Sequence, residues 1–349
     1  MTQFRMQLNC PLPELDFDVV TMGHGSGGLL TNKLLDDVIL KLFSDESGSK
    51  RHDGAQLPLE GNTAFTTDSF VVSPLFFPGG NIGDLAVNGT INDLAMCGAI
   101  PQYLSLSLII EEGLPMTELW EILLTIQQCC TRAEVKIVTG DTKVVERGKG
   151  DKLFINTAGI GRVHPRADIG IRRIQAGDKV IVSGSLANHG MAIMSVREGL
   201  AFETEIQTDS APLHQPVKNL LDEFGSSVHL LRDPTRGGVG TVLNEIARSA
   251  HLGVNLWQAD IPVDEQVAGA CELLGLDPLY VANEGLFLAI VAEDIYGVAL
   301  EQLQASGFSR SACIGEVTDE HPRQVVLTSG IGGRRVVNML AGEQLPRIC

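Results

Sequence analysis

Strand patterns and helical patterns alternate along both halves of this chain, and that alternation constrains the fold more than any other feature. In the first half, TAFTTDSFVV (63–72) and PQYLSLSLII (101–110) have the composition of strands, and a helical pattern at 83–97 lies between them. In the second half, the buried run GLFLAIVA (285–292) precedes a helical pattern at 293–305. The alternation predicts layered sheets and helices, an α/β or α+β architecture, in each half.

A polar segment at 164–177, HPRADIGIRRIQAG, interrupts the pattern near the middle of the 349 residues. A chain of this length fits about two domains. The first twenty residues are weakly patterned, and residues 44–62 have the composition of a polar loop. The predicted divisions are an N-terminal extension (1–20), an N-terminal domain (21–165), a C-terminal domain (176–340) and a tail (341–349).

The charge and composition exclude several classes of function. The formal net charge is −17, which repels phosphate backbones, so nucleic acid is not an expected partner. No apolar stretch reaches the roughly 20 residues that a membrane helix needs, and the N-terminus has no secretory apolar region. The seven cysteines include no C-x-x-C pair. These features predict a cytoplasmic globular protein without a membrane anchor.

Four aspartates stand at strand ends or beside glycine-rich turns, where carboxylates can converge on a cation. Mg²⁺ prefers oxygen ligands, and a nucleotide supplies further ligands through its phosphates. Asp84, nine residues before Asp93 on the same predicted helix, faces the opposite way and is interpreted as an N-terminal helix residue. A cap or a turn remains the simpler interpretation of any single member. The four are Asp68, Asp93, Asp141 and Asp233.

Glycine-rich turns and isolated cations add candidate phosphate contacts. HGSGG (24–28), which contains Gly27 and Gly28, is one turn, and PGGN (78–81) and TRGG (235–238) are two others. Backbone N–H groups in such turns bind anions, although none matches a P-loop or a dinucleotide fingerprint. Lys143 and Arg236 can be phosphate contacts or ordinary surface cations. His24 and His189 each adjoin a glycine, and a turn histidine is the default interpretation of both.

The chain ends in PRIC, with Cys349 as the last residue. A nine-residue tail extends on the order of 30 Å, enough to carry the thiol across a domain face. An incidental cysteine on a frayed terminus is the simpler interpretation of composition alone.

Several long segments resemble the HypE family of hydrogenase maturation proteins. They are HGSGG, TTDSFVVSPLFFPGGNIGDLAVNGTINDLAMCGAIP, EEGLPM, IVTGDTKVVERGKGDKLFINTAGIG, LRDPTRGGV, ANEG and the terminal PRIC. That family is similar to aminoimidazole ribonucleotide synthetase and its superfamily, whose members use ATP to phosphorylate an oxygen or a related nucleophile. The resemblance implies a two-domain PurM-like fold, with an N-terminal sheet that forms a barrel with its twin in a homodimer, a C-terminal α/β domain and a flexible tail.

The resemblance also implies a reaction with ATP and Mg²⁺. A partner carbamoyltransferase, HypF, would place a carbamoyl group on Cys349, and this chain would dehydrate the thiocarboxamide to a thiocyanate. The cyano group would pass to the HypC–HypD complex, where it becomes a ligand of the [NiFe]-hydrogenase iron.

The resemblance implies roles for individual residues as well. It places Asp68, Asp93, Asp141 and Asp233 around Mg²⁺ and the phosphates, with Gly27, Gly28 and Arg236 at the nucleotide. Glu284 in ANEG is the candidate base, and Lys143 is the candidate to assist it or to stabilise the phosphate. A small-molecule kinase or ligase of the same superfamily is one alternative, but it gives no reason for PRIC. A non-catalytic scaffold that binds nucleotide and partners is the other alternative.

Overall fold

The computed structural model describes residues 17–43, 54–199, 205–340 and 348. Cys349 and most of the predicted tail therefore lie outside the described residues, as do most of the predicted extension and the first part of the 44–62 loop.

The first half of the chain builds a four-stranded sheet in the order β1-β6-β4-β5, in which only the β4–β5 pair is parallel. Helices α3 and α4 lie on one of its faces, and Phe65 and Ile109 are exposed on the other. The elements are α1 (Leu29–Lys33), a π-helical segment (Leu34–Ile39), α2 (Leu40–Phe43), β1 (Thr63–Phe70), β2 (Phe76–Phe77), β3 (Gly80–Asn81), α3 (Ile82–Met96), β4 (Ala99–Glu111), α4 (Met116–Arg132), β5 (Lys136–Val145) and β6 (Leu153–Val163).

The second half builds a seven-stranded sheet in the order β13-β12-β9-β11-β7-β10-β8. Its pairs are antiparallel except β12–β9. The elements are β7 (Lys179–Val182), α5 (Asn188–Arg197), α6 (His214–Phe224), β8 (Val228–Arg232), α7 (Gly238–Ala250), β9 (Gly253–Trp257), α8 (Glu265–Leu274), β10 (Leu288–Val291), α9 (Tyr296–Ala305), β11 (Ala312–Thr318), β12 (Val325–Thr328) and β13 (Arg334–Val337).

Helix α3 joins the two halves. It contacts α4 and the first sheet on one side, and α6 and β8 of the second half on the other. All of its 15 residues except Asp93 are buried. Small residues make this possible, because a Cβ on Gly83 would lie 2.7 Å from the Ile122 carbonyl oxygen and one on Gly89 would lie 2.9 Å from the Phe70 ring. The helix predicted at 83–97 is confirmed.

Asp84 helps to cap the N-terminus of α3. Asn81 accepts a hydrogen bond from the Gly83 N–H through its side chain, and the Asp84 carboxylate accepts one from the Asn81 N–H. This is a reciprocal capping arrangement, which satisfies two backbone donors at the helix start. The interpretation of Asp84 as an N-terminal helix residue is confirmed.

Among the described residues, three apolar clusters form the core. One surrounds α3 and α4 and also includes Ala282, Ile193 and Ile348, and a second lies within the second half. The third joins the end of α3 to residues of α6, β8, β10 and α9. Cys129 and Cys130 are buried in the first cluster, as small core residues would be, and burial raises the pKa of Cys129 to about 11. The domain boundaries at 21–165 and 176–340 stay a prediction. In the described parts of the chain, no helix is both long and apolar enough for a membrane span.

Candidate functional site

Three of the four predicted aspartates lie close enough for their charges to interact. Asp68 is on β1, Asp93 is near the end of α3, and Asp233 follows β8. Thr66 donates from Oγ1 to Asp93 Oδ2 at 2.7 Å. Burial raises the pKa of all three carboxyls above the ordinary value, and it raises the pKa of Asp233 to about 6, with the charge of Asp93 as the next cause. Such a group is destabilised by its own negative charge and favours a cation.

The chemistry of this acidic group fits Mg²⁺. Among the residues that the structure describes, no three His, Cys, Asp or Glu side chains form a complete metal site. Mg²⁺ is usually held by one or two carboxylates together with substrate phosphates and water. An Mg²⁺ ion at this group would therefore need ligands beside Asp68, Asp93 and Asp233, such as the phosphates of a nucleotide.

Arg236 brings a positive charge to the same place from the second half of the chain. Its guanidinium is 3.9 Å from Asp68 Oδ1, and its side chain is 79% exposed. The TRGG turn leads into α7. Its Gly238 has a φ of +61° and lies against the backbone of residues 279–281, so that a Cβ on Gly238 would lie 2.5 Å from the Leu279 carbonyl oxygen. The turn thus holds an exposed cation beside the acidic group, where a phosphate would be neutralised.

The HGSGG turn lies at the other edge of the first sheet. It borders a cavity of about 350 Å³ that is lined by Gly25, Gly27, Asp141 and Lys143. Gly25 allows the turn to lie against β5, since a Cβ there would be 2.6 Å from the Val144 backbone nitrogen.

Two further residues complete this region. Gly28 is the N-cap of α1. Lys143 donates to Asp141 at 2.7 Å, and this hydrogen bond holds the pKa of Asp141 below its usual value.

The structure therefore does not gather all four aspartates within one chain. Along one line across the sheet, Asp68 on β1 is opposite Thr157, Thr157 is opposite Leu106, and Leu106 is opposite Gly140 on β5. Three strand spacings of about 4.8 Å separate the two edges by roughly 14 Å. Asp141 and Lys143 belong to one edge, and the acidic group belongs to the other.

Glu284 lies beside the acidic group rather than beside Lys143. It is buried in the loop before β10, with 4% of its surface exposed. Its carbonyl oxygen accepts a hydrogen bond from Asn92 Nδ2 at 3.2 Å, and Asn92 directly precedes Asp93 on α3. Its backbone N–H donates to Asp209 Oδ1 at 3.1 Å. The carboxylate is thus carried on a loop that is fixed from two sides.

Asp209 organises this loop. Its buried carboxylate accepts a hydrogen bond from the Glu284 backbone N–H, while burial raises its pKa to about 6. Gly285 is required for the contact, because a Cβ there would lie 1.5 Å from the Asp209 carbonyl oxygen. The 205–211 segment and the ANEG loop are therefore held together by the Asp209 carboxylate and by a close backbone approach that leaves no room for a side chain at Gly285.

The penultimate residue of the chain is buried in the same region. Ile348 has 3% of its surface exposed and belongs to the apolar cluster that includes Ala282 and Ile193. Its carbonyl oxygen accepts a hydrogen bond from His189 Nε2 at 2.9 Å. The His189 ring is also hydrogen-bonded to Thr208, which directly precedes Asp209, the hydrogen-bond partner of the Glu284 backbone.

Two models of one superfamily match the chain. "AIR synthase related protein, N-terminal domain" matches residues 51–163, and "AIR synthase related protein, C-terminal domain" matches residues 175–327. The chain is also 49% identical over 332 residues to the carbamoyl dehydratase HypE of Bradyrhizobium diazoefficiens, a match that covers 95% of this chain and 96% of that relative. The chain belongs to the HypE family of carbamoyl dehydratases. The predictions of a PurM-like fold and of a dehydratase of hydrogenase maturation are confirmed.

Solved HypE structures have the same fold. A HypE crystal structure in complex with ATP is 43% identical and superposes with a TM-score of 0.91, over 94% of this chain and 99% of that one. The HypE of a HypE–HypF complex is 42% identical, with a TM-score of 0.78 over 90% of this chain and 100% of that one.

Sequence reasoning assigned no role to Asn92 or Asp209, and it was wrong to treat His189 as a turn residue. His189 is the second residue of α5 and is fully buried. The turn interpretation of His24 is confirmed, since its Nδ1 accepts a hydrogen bond from the Thr21 N–H within a 3₁₀ turn. Asn92 carried a weak signal, as a polar residue in a helix of small and apolar residues. Asp209 carried none, because its partners are distant in sequence.

Proposed function

We propose that this HypE-family chain uses ATP to dehydrate an S-carbamoyl group on its own Cys349 to a thiocyanate. One observation carries the proposal: the residue before Cys349 is buried and is hydrogen-bonded to a network that also holds Glu284. A terminal residue docked in this way would bring the following thiol toward the loop that carries Glu284. The full-length similarity to carbamoyl dehydratases supports the same reaction.

ATP is the proposed phosphoryl donor, and the ATP complex of a similar HypE supports it. Arg236 would contact the phosphates beside Asp68, and the HGSGG turn with Gly27 and Gly28 would border the nucleotide through its backbone. Mg²⁺, when bound between Asp68, Asp93, Asp233 and the phosphates, would neutralise charge during phosphoryl transfer. Phosphoryl transfer needs mainly positioning and charge neutralisation, which these residues can provide.

The reaction removes one oxygen and two protons from the thiocarboxamide. The carbonyl oxygen bonds to the γ-phosphorus of ATP as ADP leaves, which turns a poor leaving group into a phosphate ester. The nitrogen then loses both protons, the carbon–oxygen bond breaks, and inorganic phosphate departs with the original oxygen as the C≡N bond forms. The products are the thiocyanate, ADP and phosphate.

Glu284 is the proposed base for the nitrogen protons. Its carboxylate is buried on the loop whose backbone is hydrogen-bonded to Asp209, next to the Thr208 that is bonded to His189, and the dehydration needs a proton acceptor at the nitrogen. Lys143 is proposed to stabilise the phosphate. Lys143 and Asp141 lie on the sheet edge opposite Asp68 of the same chain, so they can reach the phosphates beside Asp68 only from another subunit.

A homodimer would bring Lys143 and Asp141 of one subunit to the acidic group of the other. The first sheet has two edges, β1 and β5, and an open face on which Phe65 is 68% exposed and Ile109 is 43% exposed. A barrel closed by two copies would bury this apolar face, remove the unpaired edges and bring β5 of one copy beside β1 of the other. Asp141 and Lys143 of one subunit would then lie near Asp68 of its partner.

The tail also has to leave the site. HypF would load the carbamoyl group, and the HypE–HypF complex of a similar protein supports HypF as a partner. The HypC–HypD complex would accept the cyano group. Tethering keeps the thiol at a high effective concentration near the site between these visits.

A Glu284→Gln substitution tests the assignment of the base. The carbamoylated variant should bind ATP as the unsubstituted chain does but should not lose water, as followed by intact mass. Glu301→Gln, on the exposed side of α9, is the matched control and should react normally. Normal dehydration by the Glu284 variant would contradict the assignment.

A further inference from the structure

The imidazole of His189 connects the end of the chain to the body of the protein. His189 is fully buried near the start of α5. Its Nε2 lies 2.9 Å from the Ile348 carbonyl oxygen, and its Nδ1 lies 2.8 Å from Thr208 Oγ1. Both ring nitrogens therefore have partners, one of which is the peptide group that joins Ile348 to Cys349.

These partners determine which nitrogen carries the proton. A carbonyl oxygen only accepts, so Nε2 must be the donor, and Nδ1 in a neutral ring must then accept from the Thr208 hydroxyl. Thr208 Oγ1 can donate to the ring because it accepts separately from the Ser210 N–H at 3.1 Å. Burial lowers the pKa of His189 to about 4, so the ring is neutral near pH 7 and keeps this arrangement.

The ring is also fixed in orientation. Phe77 packs edge-on against it, with centroids 5.7 Å apart and an angle of 89° between the planes. The Ile348 side chain is buried in the neighbouring apolar cluster, so the end of the chain is held by its side chain and by its carbonyl. Fixed groups of this kind position a reacting atom without a further loss of entropy when the reaction occurs.

The segment that orients His189 also carries the loop of Glu284. Thr208, which is hydrogen-bonded to the ring, precedes Asp209, whose carboxylate accepts a hydrogen bond from the Glu284 backbone N–H. Two adjacent residues therefore set the positions of the tail carbonyl and of the proposed base. A core histidine with a purely structural role would not need a hydrogen bond to the chain terminus.

We propose that His189 is the positioning residue of the dehydration step, which holds the Ile348 carbonyl so that the modified Cys349 is presented to Glu284 and the phosphates. This inference rests on the proposed function. It predicts that His189 matters when the tail is docked in its own site and not when the tail is presented to HypF.

The test compares His189→Asn with His189→Gln. Asparagine can still meet Thr208 but is too short to reach the tail, whereas the longer glutamine amide can donate to the Ile348 carbonyl from near the Nε2 position. The carbamoylated chains are mixed with Mg-ATP, and the loss of one water is followed by intact mass in a single turnover. The rate of carbamoylation by HypF is measured on the same variants.

The expected result is that His189→Asn slows dehydration about tenfold or more, as the loss of one positioning hydrogen bond predicts, and leaves carbamoylation unchanged. His189→Gln should recover most of the rate, and both variants should have the same melting temperature. Dehydration of the asparagine variant at the normal rate would overturn the inference, as would equal losses in both reactions. Failure of the unsubstituted carbamoylated chain to lose water would instead overturn the proposed function.

Discussion

Asp233→Asn should stabilise the nucleotide-free protein at neutral pH. Burial, followed by the charge of Asp93, raises the pKa of Asp233 to about 6, from an ordinary value of 3.8. The folded state therefore binds the proton more tightly than the unfolded state does. The protonated Asp233 carboxyl therefore contributes fully to the free energy of unfolding below pH 3.8, and this stabilisation is lost as the pH rises through about 6. Asparagine keeps the shape of the side chain without the charge.

The size of the effect follows from the two pKa values. A difference of about 2.2 units corresponds to about 3 kcal/mol, so the variant should gain about 3 kcal/mol in free energy of unfolding near pH 7.5. The same linkage predicts a gain of only about 1 kcal/mol near pH 4.5, because this pH lies less than one unit above 3.8 and deprotonation of the unfolded state then gains little free energy. The variant should also lose the additional stability that Mg-ATP gives to the unsubstituted chain, because a proposed ligand of the ion is gone.

Urea unfolding at the two pH values measures both quantities at one fixed protein concentration. Asp294→Asn, at an exposed position, is the control and should change little at either pH. If Asp233→Asn is no more stable than the unsubstituted chain near pH 7.5, or if its gain does not fall with pH, the argument for a strained acidic group is refuted.

Three further substitutions test the parts around this group. Gly285→Ala should lower the free energy of unfolding by about 1–3 kcal/mol or more in the same urea titration, since its Cβ would lie 1.5 Å from the Asp209 carbonyl oxygen. Gly184→Ala is the control: its Cβ would lie 3.7 Å from the nearest atom, so stability should change by less than about 0.5 kcal/mol. Asn81→Ala should cost about 1 kcal/mol by the same assay through loss of the α3 cap, and an unchanged midpoint would contradict that role. Arg236→Ala should weaken ATP binding about tenfold in calorimetry without altering the unfolding curve, and unaltered affinity would exclude it as a phosphate contact.

Local sequence patterns predicted the elements of the first half well. The strand expected at 63–72 runs over Thr63–Phe70, and the helix expected at 83–97 runs over Ile82–Met96. These segments have strong periodicity and clear glycine or capping signals at their ends. Strands β9 and β12 were not predicted, because they are short and pair across large separations in sequence.

The site was predictable in chemistry but not in geometry. Carboxylates beside turns correctly indicated Asp68, Asp93 and Asp233 as neighbours, since each lies at an end that the layered fold brings together. Their spacing could not reveal that Asp141 occupies the opposite sheet edge, because the strand order decides that. The contacts of Asp209 depend on tertiary packing, which leaves no periodic trace in the sequence.

The most direct test of the account is the intact mass of the chain after incubation with HypF, carbamoyl phosphate and Mg-ATP, followed over time beside a Cys349→Ala control. The account predicts a carbamoyl adduct on the unsubstituted chain that then loses one water in an ATP-dependent step, and no adduct on the control. If no adduct forms on the unsubstituted chain while the same HypF modifies the Bradyrhizobium relative, the proposed role of the terminal cysteine is contradicted.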